Sequence, residues 1–159
     1  MRSKGLKMLC AVALTALLSA CGGGGMVKRV SEPAVGIQQL TVQADGTWSV
    51  DLRIDNFSSV EMTFDTVSLA IKIGDEAAGT LTASPALPVG PESADIATIK
   101  LTPTSAARIA MADALASRQT ISYSLDGTVG ASAEGRPRIF QLERRNQLNP
   151  VPGLPGVLR

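Results

Sequence analysis

Histidine is absent from this 159-residue chain, and cysteine is nearly so, with two residues. Without histidine there is no imidazole general base, no histidine-containing catalytic triad, no histidine-ligated zinc and no imidazole switch near neutral pH. Aromatic residues are scarce at 3%, and 15 basic residues stand against 14 acidic ones for a net charge of +1. That balance removes the basic field on which nonspecific nucleic-acid binding depends. What the chain has is apolar material, 45% of its residues, enough for one ordinary domain with short extensions.

The first segment opens with Arg2, Lys4 and Lys7 and continues as an apolar run over residues 8–20, the pattern of a secretory signal. As a helix, those 13 residues would cover only about 20 Å of a hydrocarbon core about 30 Å thick, so a permanent transmembrane helix is disfavoured. The run ends in Leu18-Ser19-Ala20-Cys21, which resembles the lipobox of bacterial lipoproteins. The resemblance implies that Cys21 receives diacylglycerol and becomes the mature amino terminus, while Cys10 leaves with the signal. No disulfide then forms within the mature chain. Ordinary cleavage nearby would instead leave Cys21 a free thiol. In the lipoprotein class that the segment resembles, Gly22 in place of the aspartate associated with inner-membrane retention implies the periplasmic face of the outer membrane, with surface exposure as the other reading.

Loss of Arg2, Lys4 and Lys7 leaves 12 basic and 14 acidic residues, a nearly neutral mature chain of net −2. Four glycines follow Cys21, and residues 22–32 read as a tether with a coil dimension of about 18 Å. Lys28 and Arg29 within it could lie near anionic head groups, although a basic pair in a linker is more simply solvated.

From residue 35 the pattern changes to period two. Trp48, Val50, Leu52 and Ile54 alternate with Ser49, Asp51, Arg53 and Asp55, the signature of a strand with one buried face. Leu40 and Val42 alternate likewise, and Ala44-Asp45-Gly46 joins the two as a hairpin. Val35 and Ile37 are out of phase with Leu40 and Val42, which predicts a bulge near Gln38-Gln39. A third strand over residues 61–73 slips phase near Asp65-Thr66, where it is expected to bend or change sheets. A weaker strand of small residues over 77–83 reads as an edge, the prolines of residues 84–92 as a loop, and residues 94–101 as another strand. Thr102 before Pro103 fits a helix N-cap, with Ala107, Ala110, Met111, Ala114 and Leu115 on one stripe of a helix over 106–117. Strands over 120–125 and 137–144 complete the body, with a bulge or tight bend at Asp126-Gly127 and small polar residues over 130–135. Seven strands and one helix result, an all-β sandwich of two antiparallel sheets.

Several short stretches resemble the late embryogenesis abundant type 2 family, also called the water stress and hypersensitive response domain. They are Asp55-Asn56-Phe57-Ser58-Ser59, the segment SLAIKIGDEAAGTLT, IKLTP, and SYSLDGTV, where Tyr123, Leu125, Gly127 and Val129 match a Y-x-L-x-G-x-V arrangement. The family's Asn-Pro-Asn turn stands here as Asn56-Phe57-Ser58. The resemblance spans residues 33–145 and implies an immunoglobulin- or fibronectin-III-like sandwich with its helix in a late crossover. The role it implies is noncatalytic protection or binding under desiccation or other stress. The resulting domain plan is a signal over 1–20, a lipidated cysteine and tether over 21–32, the sandwich over 33–145, and a Pro/Gly-rich tail over 146–159.

Candidate chemistry is sparse. Asp51, Arg53 and Asp55 share a strand face that could hold a cation, but solvated alternation accounts for them, and no glycine-bearing calcium loop accompanies the acids. Asp75-Glu76 reads as a turn. No cofactor or metal is expected, and the chain is read as a non-enzyme. The aromatics are expected in the core; Phe57 is the one candidate for a contact role, because it sits in a polar turn, although burial against the adjoining sheet is the simpler expectation. In the tail, Leu148, Val151, Leu154 and Val157 recur every third residue among prolines, so a polyproline II segment would align them on one docking edge. A disordered tail is the other reading. The expected partners are the lipid bilayer, through Cys21, and an envelope protein engaged by the edge at residues 77–83 or by the tail.

Overall fold

The computed structural model describes residues 27–159, so the segment read as a signal over 1–20 and the expected lipidation site Cys21 lie outside the described residues. Period-two alternation becomes two packed antiparallel sheets. The first has the order β6-β2-β1-β9, from β1 (Ala34–Val42), β2 (Trp48–Asn56), β6 (Ser93–Leu101) and β9 (Val157–Leu158). The second has the order β4-β3-β7-β8, from β3 (Met62–Ile73), β4 (Glu76–Ala83), β7 (Ile121–Ala133) and β8 (Arg136–Leu148), with β5 (Leu87–Val89) pairing the start of β3. The single helix among the described residues, α1 (Ser105–Ser117), carries the chain from the first sheet back to the second. This is the all-β sandwich expected from the alternation, with nine strands among the described residues in place of seven and the helix in the late crossover that the resemblance implies.

The inward side chains of β2, Trp48, Val50, Leu52 and Ile54, are all buried, as are Phe64, Val67, Leu69, Ile71 and Ile73 of β3. Both predicted irregularities are present. The register of β1 on β2 shifts between Ile37 and Gln39, so Ile37 and Leu40 are both buried, and that of β3 on β7 shifts between Phe64 and Thr66. The β3 bulge does not move the strand into the other sheet; β3 stays paired with β7 from Met62 to Ile73.

Four local expectations change. The strand expected to end at residue 125 runs on as β7 to Ala133, and its small residues have a packing reason: Ala131 lies opposite Phe64 and Ala133 opposite Met62, so bulky side chains of β3 fill the space that the alanines leave. No bend occurs at Asp126-Gly127, where the register on both neighbouring strands is continuous. Within the expected loop over 84–92, β5 forms as an edge strand, a place where a proline such as Pro88 is tolerated. The helix begins two residues later than Thr102-Pro103 suggests, because Thr104 is the N-cap, its hydroxyl accepting from the Ala107 amide at 3.2 Å. Of the predicted stripe, Ala107, Met111 and Ala114 are buried, while Ile109 faces solvent.

The β1–β2 hairpin closes through residues 43–47, with Gly46 at φ 82°. Asp45 accepts hydrogen bonds from the Thr47 hydroxyl at 2.6 Å and the Thr47 amide at 2.9 Å. These bonds, the hydroxyl's first, hold its carboxyl below the ordinary value of 3.8. A depressed carboxylate contributes stability that is complete above the unfolded pKa and is lost as pH falls through the folded one. Asp45→Ala should therefore destabilise the protein slightly at pH 7, and the denaturation midpoints of variant and parent should converge as pH is lowered below 3.8.

Candidate functional site

One end of the sandwich gathers the starts of β1, β3, β6 and β8 with the ends of β2, β5 and β7. Its centre is the turn of residues 56–60 between β2 and β3. Among the described residues, Asn56 and Ser58 are the polar side chains that are buried. Buried polar groups persist only when hydrogen-bonded, and these are. The Asn56 amide nitrogen shares its hydrogens among the carbonyls of Val60 at 2.9 Å, Val89 at 3.0 Å and Gly90 at 2.9 Å, and its oxygen accepts from the Ser58 amide at 2.9 Å. One side chain thereby ties the β2–β3 turn to the β5–β6 turn. The Ser58 hydroxyl accepts from the Ser31 amide at 2.9 Å and lies 3.0 Å from the Met62 sulfur.

With both its neighbours turned inward, Phe57 is turned out. It is 51% exposed, against the expectation of burial, while Trp48, Phe64 and Tyr123 are in the core. The segment that precedes β1 meets the sandwich here. The Arg29 guanidinium donates to the Phe57 carbonyl at 3.0 Å, the Arg29 amide donates to the Ser59 hydroxyl at 2.8 Å, and the Ser59 amide donates to the Arg29 carbonyl at 2.9 Å. Lys28 pairs with Glu134 of the β7–β8 turn, and Arg29 lies 3.7 Å from Glu92. The segment expected to tether the body through residue 32 is therefore pinned from about residue 28, because its backbone completes the hydrogen bonding of the serines in the turn.

The tail does not form a polyproline edge. Leu148 is buried at the end of β8, Leu154 is 48% exposed in a turn, and Val157 belongs to β9, which pairs with β1 through Thr41–Val157 and Leu40–Leu158. Gly153 at φ 81° and Gly156 at φ 77° take a backbone sign that polyproline II forbids, and they fold the chain back on itself. The buried apolar residue of the final pair is Leu158, which the three-residue spacing missed. Residues 149–159 thus belong to the sandwich, and the boundary expected at 145 is displaced to the chain's end.

The edge expected at residues 77–83 is an edge, but its first carbonyls are engaged: Ala77 accepts from the Thr104 hydroxyl at 2.7 Å and Ala78 from the Thr104 amide at 3.1 Å. Asp51 accepts from the Thr98 hydroxyl at 2.7 Å, and Asp55 pairs with Arg53 at 2.8 Å, so each acid of that face is engaged in a lateral contact. Asp75 borders a shallow polar depression of about 600 Å³ with Lys72, Ser124 and Arg145 on the outer face of the second sheet. Among the described residues no three His, Cys, Asp or Glu side chains converge as metal ligands, and no helix is long and apolar enough to cross a membrane.

No protein-family model and no curated protein matches the chain. It is similar to a crystal structure of a protein from Archaeoglobus fulgidus, at 11% identity and a TM-score of 0.46 over 76% of this chain and 97% of that one. It is also similar to a Northeast Structural Genomics Consortium target, at 14% identity and 0.48 over 79% and 92% of the two chains. A protein from Arabidopsis thaliana, solved in solution, matches at 9% identity and 0.45 over 77% of this chain and 80% of that one. None of the three is similar enough to bear on function.

Proposed function

We propose that this protein is a lipid-anchored envelope lipoprotein, held at the periplasmic face of the outer membrane through Cys21, whose noncatalytic sandwich serves in protection or binding under stress such as desiccation. The observation that carries the anchor is the sequence Leu18-Ser19-Ala20-Cys21 behind a cationic start and an apolar run. Its placement is supported by the attachment of residues 28–31 to one end of the sandwich, seven to ten residues after Cys21. The stress role rests on the resemblance to the late embryogenesis abundant type 2 family. The architecture that resemblance implies is a β-sandwich, in keeping with the two sheets here. The alternative, a structural accessory that assembles by strand addition, is favoured by β8, a strand of 13 residues at the open side of its sheet.

Mass spectrometry of the protein purified from a Gram-negative host should find a triacylated Cys21 as the first residue, and Cys21→Ser should move it into the soluble fraction. Cells producing only Cys21→Ser should then survive drying as poorly as cells lacking the protein. An unmodified amino terminus removes the anchor; unchanged survival removes the protective role.

A further inference from the structure

Of the exposed large apolar side chains, Phe57 and Leu154 sit in turns at opposite ends of the sandwich and are exposed to nearly the same extent. Phe57 is 51% exposed at the end where the amino-terminal segment attaches, and Leu154 is 48% exposed in the tail turn beside the end of β1, at the opposite end. The 13 residues of β8 separate those ends by about 40 Å. Between Cys21 and Val27 lie six peptide units, which span at most about 21 Å. Cys21, the point of attachment, is therefore within reach of the end that carries Phe57 and out of reach of the end that carries Leu154.

Phe57 is also held rigidly. Its neighbours on both sides are buried and hydrogen-bonded, and its own carbonyl is bonded to Arg29, so little conformational freedom remains to be lost when its ring meets a partner. Val27, 86% exposed, is the first described residue of the same segment. The nearby cations Lys28 and Arg29 are matched by Glu134 and Glu92, so this end is close to neutral and offers an apolar contact in preference to a basic one.

We infer that the turn of residues 56–60 is a bilayer-contact surface: the Phe57 ring enters the interfacial region of the membrane to which Cys21 ties the chain, and the sandwich stands with α1 and the tail directed away from it. A single phenylalanine would not recruit a free protein. Tethering changes this by making the contact intramolecular, at an effective concentration on the order of millimolar. The inference rests on the lipoprotein reading above.

The test uses the full lipidated protein on vesicles of phosphatidylethanolamine and phosphatidylglycerol, with and without brominated acyl chains. Trp48 is the single native tryptophan and is buried, so it supplies a constant background. Emission from Phe57→Trp should shift to the blue and be quenched by brominated lipid, whereas that from Leu154→Trp and from the parent should not. Phe57→Trp emission that is unchanged while the protein sediments with the vesicles overturns the contact and leaves the anchor standing. Protein that stays in the supernatant overturns the anchor and the contact together. Thermal melts of both variants matching the parent establish that each has folded.

Discussion

Gly127→Ala should lower the unfolding free energy by about 4 kcal/mol or more, a large fraction of the ~5–15 kcal/mol that holds an ordinary domain folded. Gly127 lies in the middle of β7, opposite Leu69 of β3 and Leu142 of β8. A β-carbon there would sit 2.2 Å from the Ser68 carbonyl oxygen and 3.1 Å from the Leu69 α-carbon, with φ at 150°. The obstruction is backbone, and it belongs to a strand paired on both sides, so neither a rotamer change nor a local shift relieves it. Gly74→Ala isolates the steric part. Gly74 also has positive φ, at 59°, but nothing lies within 4 Å of an added β-carbon, so its replacement should cost only about 1 kcal/mol. Urea denaturation of both variants measures the difference, and equal midpoints would show that close approach of β3 and β7 is not what Gly127 provides.

The same glycine shows where sequence periodicity stops. A glycine after an aspartate reads as a bend, because its freedom at positive φ is a property of one residue. Its use here is a property of two strands, and single-chain patterning carries no trace of how near a neighbour's carbonyl lies. The alanines of β7 hide for a related reason. Ala131 and Ala133 look like loop filler until Phe64 and Met62 are set opposite them. By contrast, features that depend on one strand's own phase are legible: the alternation of β2, the β1 bulge after Ile37 and the β3 bulge after Phe64 all follow from which residues must face inward together.

The candidate site divides along the same line. The lipobox resemblance is local sequence and can be read directly, whereas the exposure of Phe57 follows from an exchange with its neighbours. Hydrophobicity would bury the phenylalanine and expose the asparagine and serine beside it. The opposite occurs because the Asn56 side chain reaches carbonyls on two turns, and Ser58 accepts from Ser31. Four hydrogen bonds to one buried amide outweigh the burial of one ring, whose full transfer would contribute about 1.5–3 kcal/mol.

Deleting residues 150–159 should cost about 3–4 kcal/mol and lower the melting temperature by more than 10 °C. Two contributions add. Leu158 is completely buried opposite Leu40, and its loss alone corresponds to a large-to-small core substitution. The segment also brings backbone hydrogen bonds, from the Val42 amide to Gly156 at 2.8 Å and from the Arg159 amide to Asn149 at 3.0 Å, with the Arg159 side chain reaching Gln39 at 2.9 Å. Leu154→Ala, at an exposed turn, should change stability by less than about 0.5 kcal/mol, which separates a seam formed through β9 from a general requirement for apolar residues in the tail. The deletion has a second consequence, because β9 covers β1 at Leu40 and Thr41, and its removal frees that stretch of edge for another chain. Sedimentation of the shortened protein should accordingly show association that the full-length protein lacks. A monomeric variant with an unaltered melting temperature would mean that the last ten residues contribute neither packing nor edge protection.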